Sequence, residues 1–316
     1  MPFEKKEKTG RKFEESYPAA NQYQKKNNQE AMEFREIEPI YNMSDLILEA
    51  SVKEELNTII KAQENWNLVF EKWGLNTVMK QRKNVFVNLY GESGTGKTMS
   101  AHAIASALHK HICCVNYADI ESKYVGETGK NLVALFEQAK RTGCILFFDE
   151  ADALLSKRVT NMNNATDVSV NQTRSVLLTL LNDFEGLVIF ATNFISNYDS
   201  AFMRRIQYHV KFELPNEELR ILLWQYYIPD KLPTDAMPEL LAKNFTGLSG
   251  SDISNAVLKA ALSAAAADQK IVSYKHFNRA VKEIQESKIS NNQSNVKVTK
   301  RIVDEEYVKS QLMKEN

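Results

Sequence analysis

The sequence has few of the residues that staple small secreted folds. It carries three cysteines, two of them adjacent at Cys113 and Cys114. An odd count with neighbouring members excludes a disulfide framework and points to a reducing compartment. No apolar run approaches the roughly 18–20 residues that a membrane-spanning helix needs. Charge of one sign is also missing, since Lys+Arg and Asp+Glu are 40 each. That balance removes the whole-chain attraction expected of a general nucleic-acid or acidic-membrane binder and leaves room only for a local basic groove. The first residues, MPFEKKEKTGRKFEES, contain no apolar stretch of the kind a signal peptide needs, and their glutamates argue against a transit peptide. A cytoplasmic protein without membrane partners is expected. A chain of 316 residues is long enough for about two domains and for a self-sufficient core. His109, His111, Cys113 and Cys114 lie close in sequence. They run from a helix end into a strand, no second ligand cluster follows, and the segment reads as structural rather than as a zinc site.

What is present falls into four parts. Residues 1–40 are polar, mixed in charge and poor in branched aliphatics, so burial cannot repay their ordering entropy; they read as a flexible arm. From Ser44 the apolar residues Leu46, Ile47, Val52, Leu56, Ile59 and Ile60 recur at helical spacing. A β/α alternation follows. Strands are predicted at 84–90, 112–116, 144–148, 187–191 and 208–212, with helices at 98–108, 130–141 and 169–184 between them. Strands apolar on both faces, alternating with helices, imply a parallel sheet covered on both sides. This α/β domain spans 41–215. Beyond Pro215 the strands stop, and helices at 216–228, 236–243, 250–268 and 274–286 make a small all-helical domain over 216–288. Residues 289–316 are a polar tail.

Glycine is scarce, 11 in the whole chain, so its clustering in Gly91-Glu92-Ser93-Gly94-Thr95-Gly96-Lys97-Thr98 is informative. This is a complete G-x-x-x-x-G-K-[ST] phosphate loop between a strand and a helix. The glycines let backbone N–H groups turn inward onto phosphate oxygens, and the helix beginning here adds its positive end. Lys97 is suited to the β- and γ-phosphates of ATP, and the Thr98 hydroxyl to Mg²⁺. A second motif, Cys144-Ile145-Leu146-Phe147-Phe148-Asp149-Glu150, is an apolar strand ending in two acids. At the carboxyl edge of such a sheet Asp149 would hold Mg²⁺, and Glu150 would act as general base toward water.

Together these residues resemble the AAA+ ATPases, specifically the substrate-remodelling branch of katanin, spastin, FtsH and the ESCRT-disassembling ATPase, over residues from about 44 to 288. The resemblance implies a P-loop NTPase fold followed by a helical lid. Phe190-Ala191-Thr192-Asn193 is similar to the family's sensor 1, which makes Asn193 the residue that orients the attacking water. Asp199-Ser200-Ala201-Phe202-Met203-Arg204-Arg205 matches the segment that carries arginine fingers, implying that Arg204 and Arg205 reach a neighbouring subunit's ATP. Gly247-Leu248-Ser249-Gly250-Ser251-Asp252-Ile253 resembles the signature that opens the lid helix, implying nucleotide contacts from Gly250 and Asp252. Ser122-Lys123-Tyr124-Val125-Gly126-Glu127-Thr128 stands where the family has its central pore loop, with Lys123, Tyr124 and Val125 gripping a polypeptide. A second pore loop would fall within 158–168.

The expected function is therefore an ATP-hydrolysing homo-oligomeric ring, a hexamer, that threads, unfolds or disassembles protein substrates, with or without an adaptor. The absence of an N-terminal adaptor domain also suits the HORMA-remodelling ATPases, and the absence of an H-E-x-x-H motif argues against a fused protease of the FtsH type. The alternative is an AAA+ ATPase of a DNA-associated machine, a helicase or transposition loader. Tyr124-Val125 and the neutral net charge favour the protein motor.

Overall fold

The computed structural model describes residues 34–79, 84–116, 120, 127–156, 165–193 and 198–294. Six strands form one sheet: β1 (Glu36–Ile37), β2 (Asn84–Gly91), β3 (Ile112–Val115), β4 (Ile145–Phe148), β5 (Gly186–Thr192) and β6 (Tyr208–Phe212), in the order β1-β3-β4-β5-β2-β6. All neighbours are parallel except β1, which runs antiparallel to β3. The helices around the sheet are α1 (Ala50–Glu64), α2 (Lys97–Ala107), α3 (Glu127–Thr142), α4 (Asp152–Leu155), α5 (Ala165–Asp183) and α6 (Ser200–Met203).

The strands are apolar on both faces because both faces are covered. Val85, Val87, Leu89, Ile145, Phe147 and Ile189 face α1 and α2, packing on Leu56, Ile59, Ala101 and Ile104. Phe86, Leu146, Phe148, Val188 and Phe190 face the other way, onto Leu132, Leu135 and Phe136 of α3 and Leu177 and Leu181 of α5. A parallel sheet wrapped in this way leaves its carboxyl edge as the open rim.

The lid has its own core. It comprises α7 (Glu217–Tyr227), α8 (Pro238–Asn244), α9 (Gly250–Ala266) and α10 (Tyr274–Ser294). Each start is legible in local chemistry: the Asn216 side chain accepts from Leu219 N, Pro238 occupies the first turn of α8, and Ser249 and Asp252 form a capping box on α9. Trp224 is fully buried at the centre, edge-on to Phe277 and beside Phe245. Arg220, also buried, donates to the carbonyls of Ala242 and Pro215 and so ties the lid to the segment leaving the sheet.

The structure moves two boundaries. The segment expected as a flexible arm to residue 40 is anchored from Phe34: Phe34 is buried, its N–H donates to Gln138 Oε1 at 2.9 Å, and β1 adds an edge strand. Two residues are too few for periodicity to show such a strand. The last helix runs to Ser294, beyond the start of the expected tail at 289. Lys123, Tyr124 and Val125, and residues 158–164 of the expected second pore loop, lie outside the described residues.

Candidate active site

The phosphate loop leaves β2 at its carboxyl edge, beside the ends of β5 and β6. Gly91, Gly94 and Gly96 have φ of 142°, 76° and 104°, conformations that cost a side-chain-bearing residue and cost glycine almost nothing. Gly91 is constrained further, because a Cβ there would stand 1.9 Å from the carbonyl oxygen of Phe212. Gly91→Ala should therefore displace β6 or the loop and lower stability by about 1–3 kcal/mol, with loss of nucleotide binding. Thermal melting and nucleotide titration test this, and wild-type values in both would refute the close approach.

Lys97 opens α2, is 8% exposed, and threads back under the loop. Its Nζ donates to the carbonyls of Gly91 at 2.7 Å and Glu92 at 2.9 Å, and to Asn193 Oδ1 at 3.1 Å. Burial lowers its pKa, while Asp149, Asp152 and Glu92 oppose the shift. The Thr98 hydroxyl donates to Asp149 Oδ2 at 3.0 Å, which places two hard oxygen donors side by side at the loop. Asp149 follows β4, its N–H bonded to Val115 O, and its Oδ1 accepts from the N–H of Glu150. Glu150 has φ 50°, unusual for a residue with a side chain, and its exposed carboxylate lines the same cleft. Such backbone strain clusters at functional positions.

Lys97, Thr98, Asp149, Glu150 and Asn193 thus converge on one cleft of about 500 Å³. Ser93, Gly94, Thr95, Gly96, Gly250 and Ser251 line it as well; the N–H of Ser251 donates to Gly94 O, joining lid helix to phosphate loop. Asp252, expected at the nucleotide, is not on the lining. Its Oδ2 accepts from the N–H and the hydroxyl of Ser249, each at 2.7 Å, and pairs with Lys288, so it fixes the lid helix instead.

Three contributors escaped the sequence reading. Asp152, two residues beyond Glu150, accepts from the N–H of Asn193 at 3.2 Å and so fixes the backbone at Asn193. Residues 45–49, with Leu46, Ile47 and Leu48 between two acids, and the α7 side chains Leu223, Tyr226 and Tyr227 also line the cleft. Asp152 was visible as an extra acid; the wall comes from segments distant in sequence.

The two arginines separate. Arg204 is exposed, whereas Arg205 is held by its own chain, donating to Asn182 Oδ1 at 2.9 Å and to Ala201 O at 2.7 Å. Both lie before β6, at the opposite edge from the cleft: Gln207 N donates to Phe86 O, about five residues and roughly 16 Å along β2 from Gly91 at about 3.3 Å per residue.

Cys114, at the end of β3, lies against His102 of α2, Sγ to Nε2 3.8 Å. Desolvation first, and Asp149 second, push the thiol of the surface-reaching Cys114 up to about 11.

With this geometry in place, residues 87–214 match the family described as "ATPase family associated with various cellular activities (AAA)". Over that stretch the chain carries an AAA domain. The chain is 35% identical over 187 residues to the ATP-dependent zinc metalloprotease YME1 homolog of Caenorhabditis elegans, a match covering 57% of the chain and 25% of that relative. It is 31% identical over 249 residues to a 26S proteasome regulatory subunit homolog of Methanocaldococcus jannaschii, covering 76% of the chain and 63% of the relative. It is 31% identical over 210 residues to the 26S proteasome regulatory subunit 10B homolog A of Arabidopsis thaliana, covering 64% and 52%. The chain therefore spans a quarter to somewhat under two thirds of the length of these relatives. They lend no support to the HORMA-remodelling or DNA-machine alternatives. Among the described residues, no helix is long and apolar enough to cross a membrane.

Proposed function

We propose that this protein is an ATP-hydrolysing ring motor, a cytoplasmic homohexamer, that unfolds or disassembles protein substrates by drawing them through a central pore. The observation that carries the reading is the meeting of Lys97, Asn193 and the Thr98–Asp149 pair at one carboxyl-edge cleft with Glu150 on its rim.

Each role follows from placement. Loop N–H groups and Lys97 would bind the phosphates of ATP, which puts the γ-phosphate next to Asn193. Thr98 and Asp149 fit Mg²⁺, since a hydroxyl and a carboxylate 3.0 Å apart are the hard donors it takes. When bound, Mg²⁺ neutralises charge on the β- and γ-phosphates. Glu150 takes the proton from the attacking water that Asn193 orients. Residues 45–49 and Tyr227 would cover the adenine of the nucleotide. Arg204, too far along the sheet from its own loop and exposed, would serve the neighbouring subunit's nucleotide, with Arg205 bracing the turn that presents it.

Tyr124 and Val125 supply the grip on substrate in this proposal. Tyr124→Ala should keep basal ATPase within a few-fold of wild type, since the residue belongs to none of the nucleotide motifs, and should lose ATP-driven unfolding of a tagged reporter protein. A packed aromatic would instead cost about 3–5 kcal/mol on truncation, so melting temperature and ATPase would fall together. Full-rate unfolding by a stable, ATPase-active variant would overturn threading. DNA stimulation of ATPase that is lost with rising salt would move the reading to the DNA machine.

A further inference from the structure

Strand β2 contains a residue its surroundings do not require. Asn88 is fully buried between Val87 and Leu89, in an otherwise apolar sheet centre. Its Oδ1 accepts from the Thr192 hydroxyl at 3.2 Å, and Thr192, 1% exposed, ends β5 immediately before Asn193. Beside this pair stands Tyr198, 6% exposed, held by a bridge to Ser156. Among the described residues, the Tyr198 hydroxyl and the Asn88 amide nitrogen are buried without a hydrogen bond of good geometry. Thr192 and Asn88 nevertheless lie close enough to the phenol to oppose the rise to about 12 that burial imposes on it.

A cluster serving stability alone would satisfy its polar atoms or dispense with them. Leucine at 88 and phenylalanine at 198 would fill the same space without burying an unpaired donor. Buried polar groups kept at such a cost mark functional positions. What this cluster touches is the backbone that carries Asn193, whose N–H is fixed from the other side by Asp152. Thr192 is thus clamped to the strand that delivers the phosphate loop, and the sensor is referenced to the loop through a side chain rather than through ladder bonds alone.

From this arrangement we infer that Asn88 and Tyr198 are positioning residues for hydrolysis: acting through Thr192, they hold Asn193 at the depth where it orients the attacking water. The inference rests on the ATPase reading above. It assigns neither residue a contact with nucleotide.

The test is steady-state ATP hydrolysis by the full chain, with melting temperature measured in parallel, for wild type, Asn193→Ala, Tyr198→Phe, Asn88→Leu and the Asn88→Leu/Tyr198→Phe double variant. Tyr198→Phe removes one oxygen and should lower kcat about tenfold, since small misplacements of an orienting group are costly. Its KM for ATP should stay at the wild-type value, and its melting temperature should stay equal or rise. Asn88→Leu should act in the same direction, and the double variant should lose little more than either single change, as expected of one unit. Asn193→Ala separates the two levels of the proposal. If wild type hydrolyses no ATP, the ATPase reading fails and the inference with it; if wild type hydrolyses ATP and Asn193→Ala leaves kcat unchanged, Asn193 does not orient the water and the inference falls while the ATPase reading stands. If Asn193→Ala lowers kcat while Tyr198→Phe runs at the wild-type rate, the positioning role alone is overturned. A Tyr198→Phe variant whose KM rises and melting temperature falls together also overturns it, because that is the pattern of a structural hydroxyl.

Discussion

Glu150→Gln is expected to bind ATP as wild type does and to lower the rate of phosphate release by about 10²–10⁴-fold, the range a positioned general base contributes. The groups that would bind the nucleotide, Lys97 with its three acceptors and the Thr98–Asp149 pair, are untouched by the change. Glutamine has the shape of glutamate, and its backbone must adopt the same φ of 50°, so the strain stored at that position is unchanged. What disappears is the basic carboxylate that accepts the water's proton, since the amide oxygen that replaces it is far too weak a base. ATP should therefore raise the melting temperature of the variant at least as much as that of wild type, since a ligand that is not consumed stabilises by mass action throughout the experiment. The ATP-bound variant should also retain substrate, which makes it a trap for identifying the protein on which the motor acts. Phosphate release near the wild-type rate would show that another group is the base.

Much of this was legible because the chain's chemistry is locally written. A sheet buried on both faces requires unbroken apolar strands, and Ile145–Phe148 ends in Asp149 and Glu150 because only the carboxyl edge meets solvent and ligand. Glycine's rarity made the Gly91–Gly96 loop stand out, and its positive φ values explain why glycine is needed there. Features made by chain segments meeting in space were not legible. The wall of the cleft joins residues 45–49 to α7, some 170 positions away, and no sequence period connects them. Asp252 shows the opposite failure. Its place in Ser249-Gly250-Ser251-Asp252 matches both a nucleotide-contacting signature and a helix capping box, and the structure uses it for the cap and for Lys288. The Arg204–Arg205 pair reads as one feature in sequence, yet among the described residues it is Arg205 that finds acceptors within its own chain. Asn88 was hidden inside a strand pattern correct without it, since one polar residue in an apolar run alters the period too little to register.

Arg204→Ala is expected to leave nucleotide affinity close to wild type and to remove nearly all hydrolysis, by about 10³–10⁵-fold if it acts as an arginine finger. Affinity should survive because Arg204 touches none of the groups lining its own cleft and lies at the other edge of the sheet. Arg205→Ala should act more mildly, since its guanidinium braces the turn through Asn182 and Ala201 and does not project outward. The decisive measurement mixes two dead proteins. A Lys97→Ala subunit cannot bind ATP productively but keeps its finger; an Arg204→Ala subunit binds ATP but offers no finger. If catalysis occurs at a junction, a ring containing both has junctions where an intact cleft faces an intact Arg204, and activity returns. With random mixing at equal concentrations, about a quarter of junctions pair the two intact halves in the productive order, so recovery should peak near that fraction and vary with the mixing ratio; a finger that stabilises charge across the interface requires this dependence on the neighbour. An arginine acting within its own subunit predicts no recovery at any ratio. Silence across the whole titration, with subunit exchange verified by labelled protein, would place Arg204 outside the neighbour's site and remove the reason to expect hydrolysis to depend on assembly.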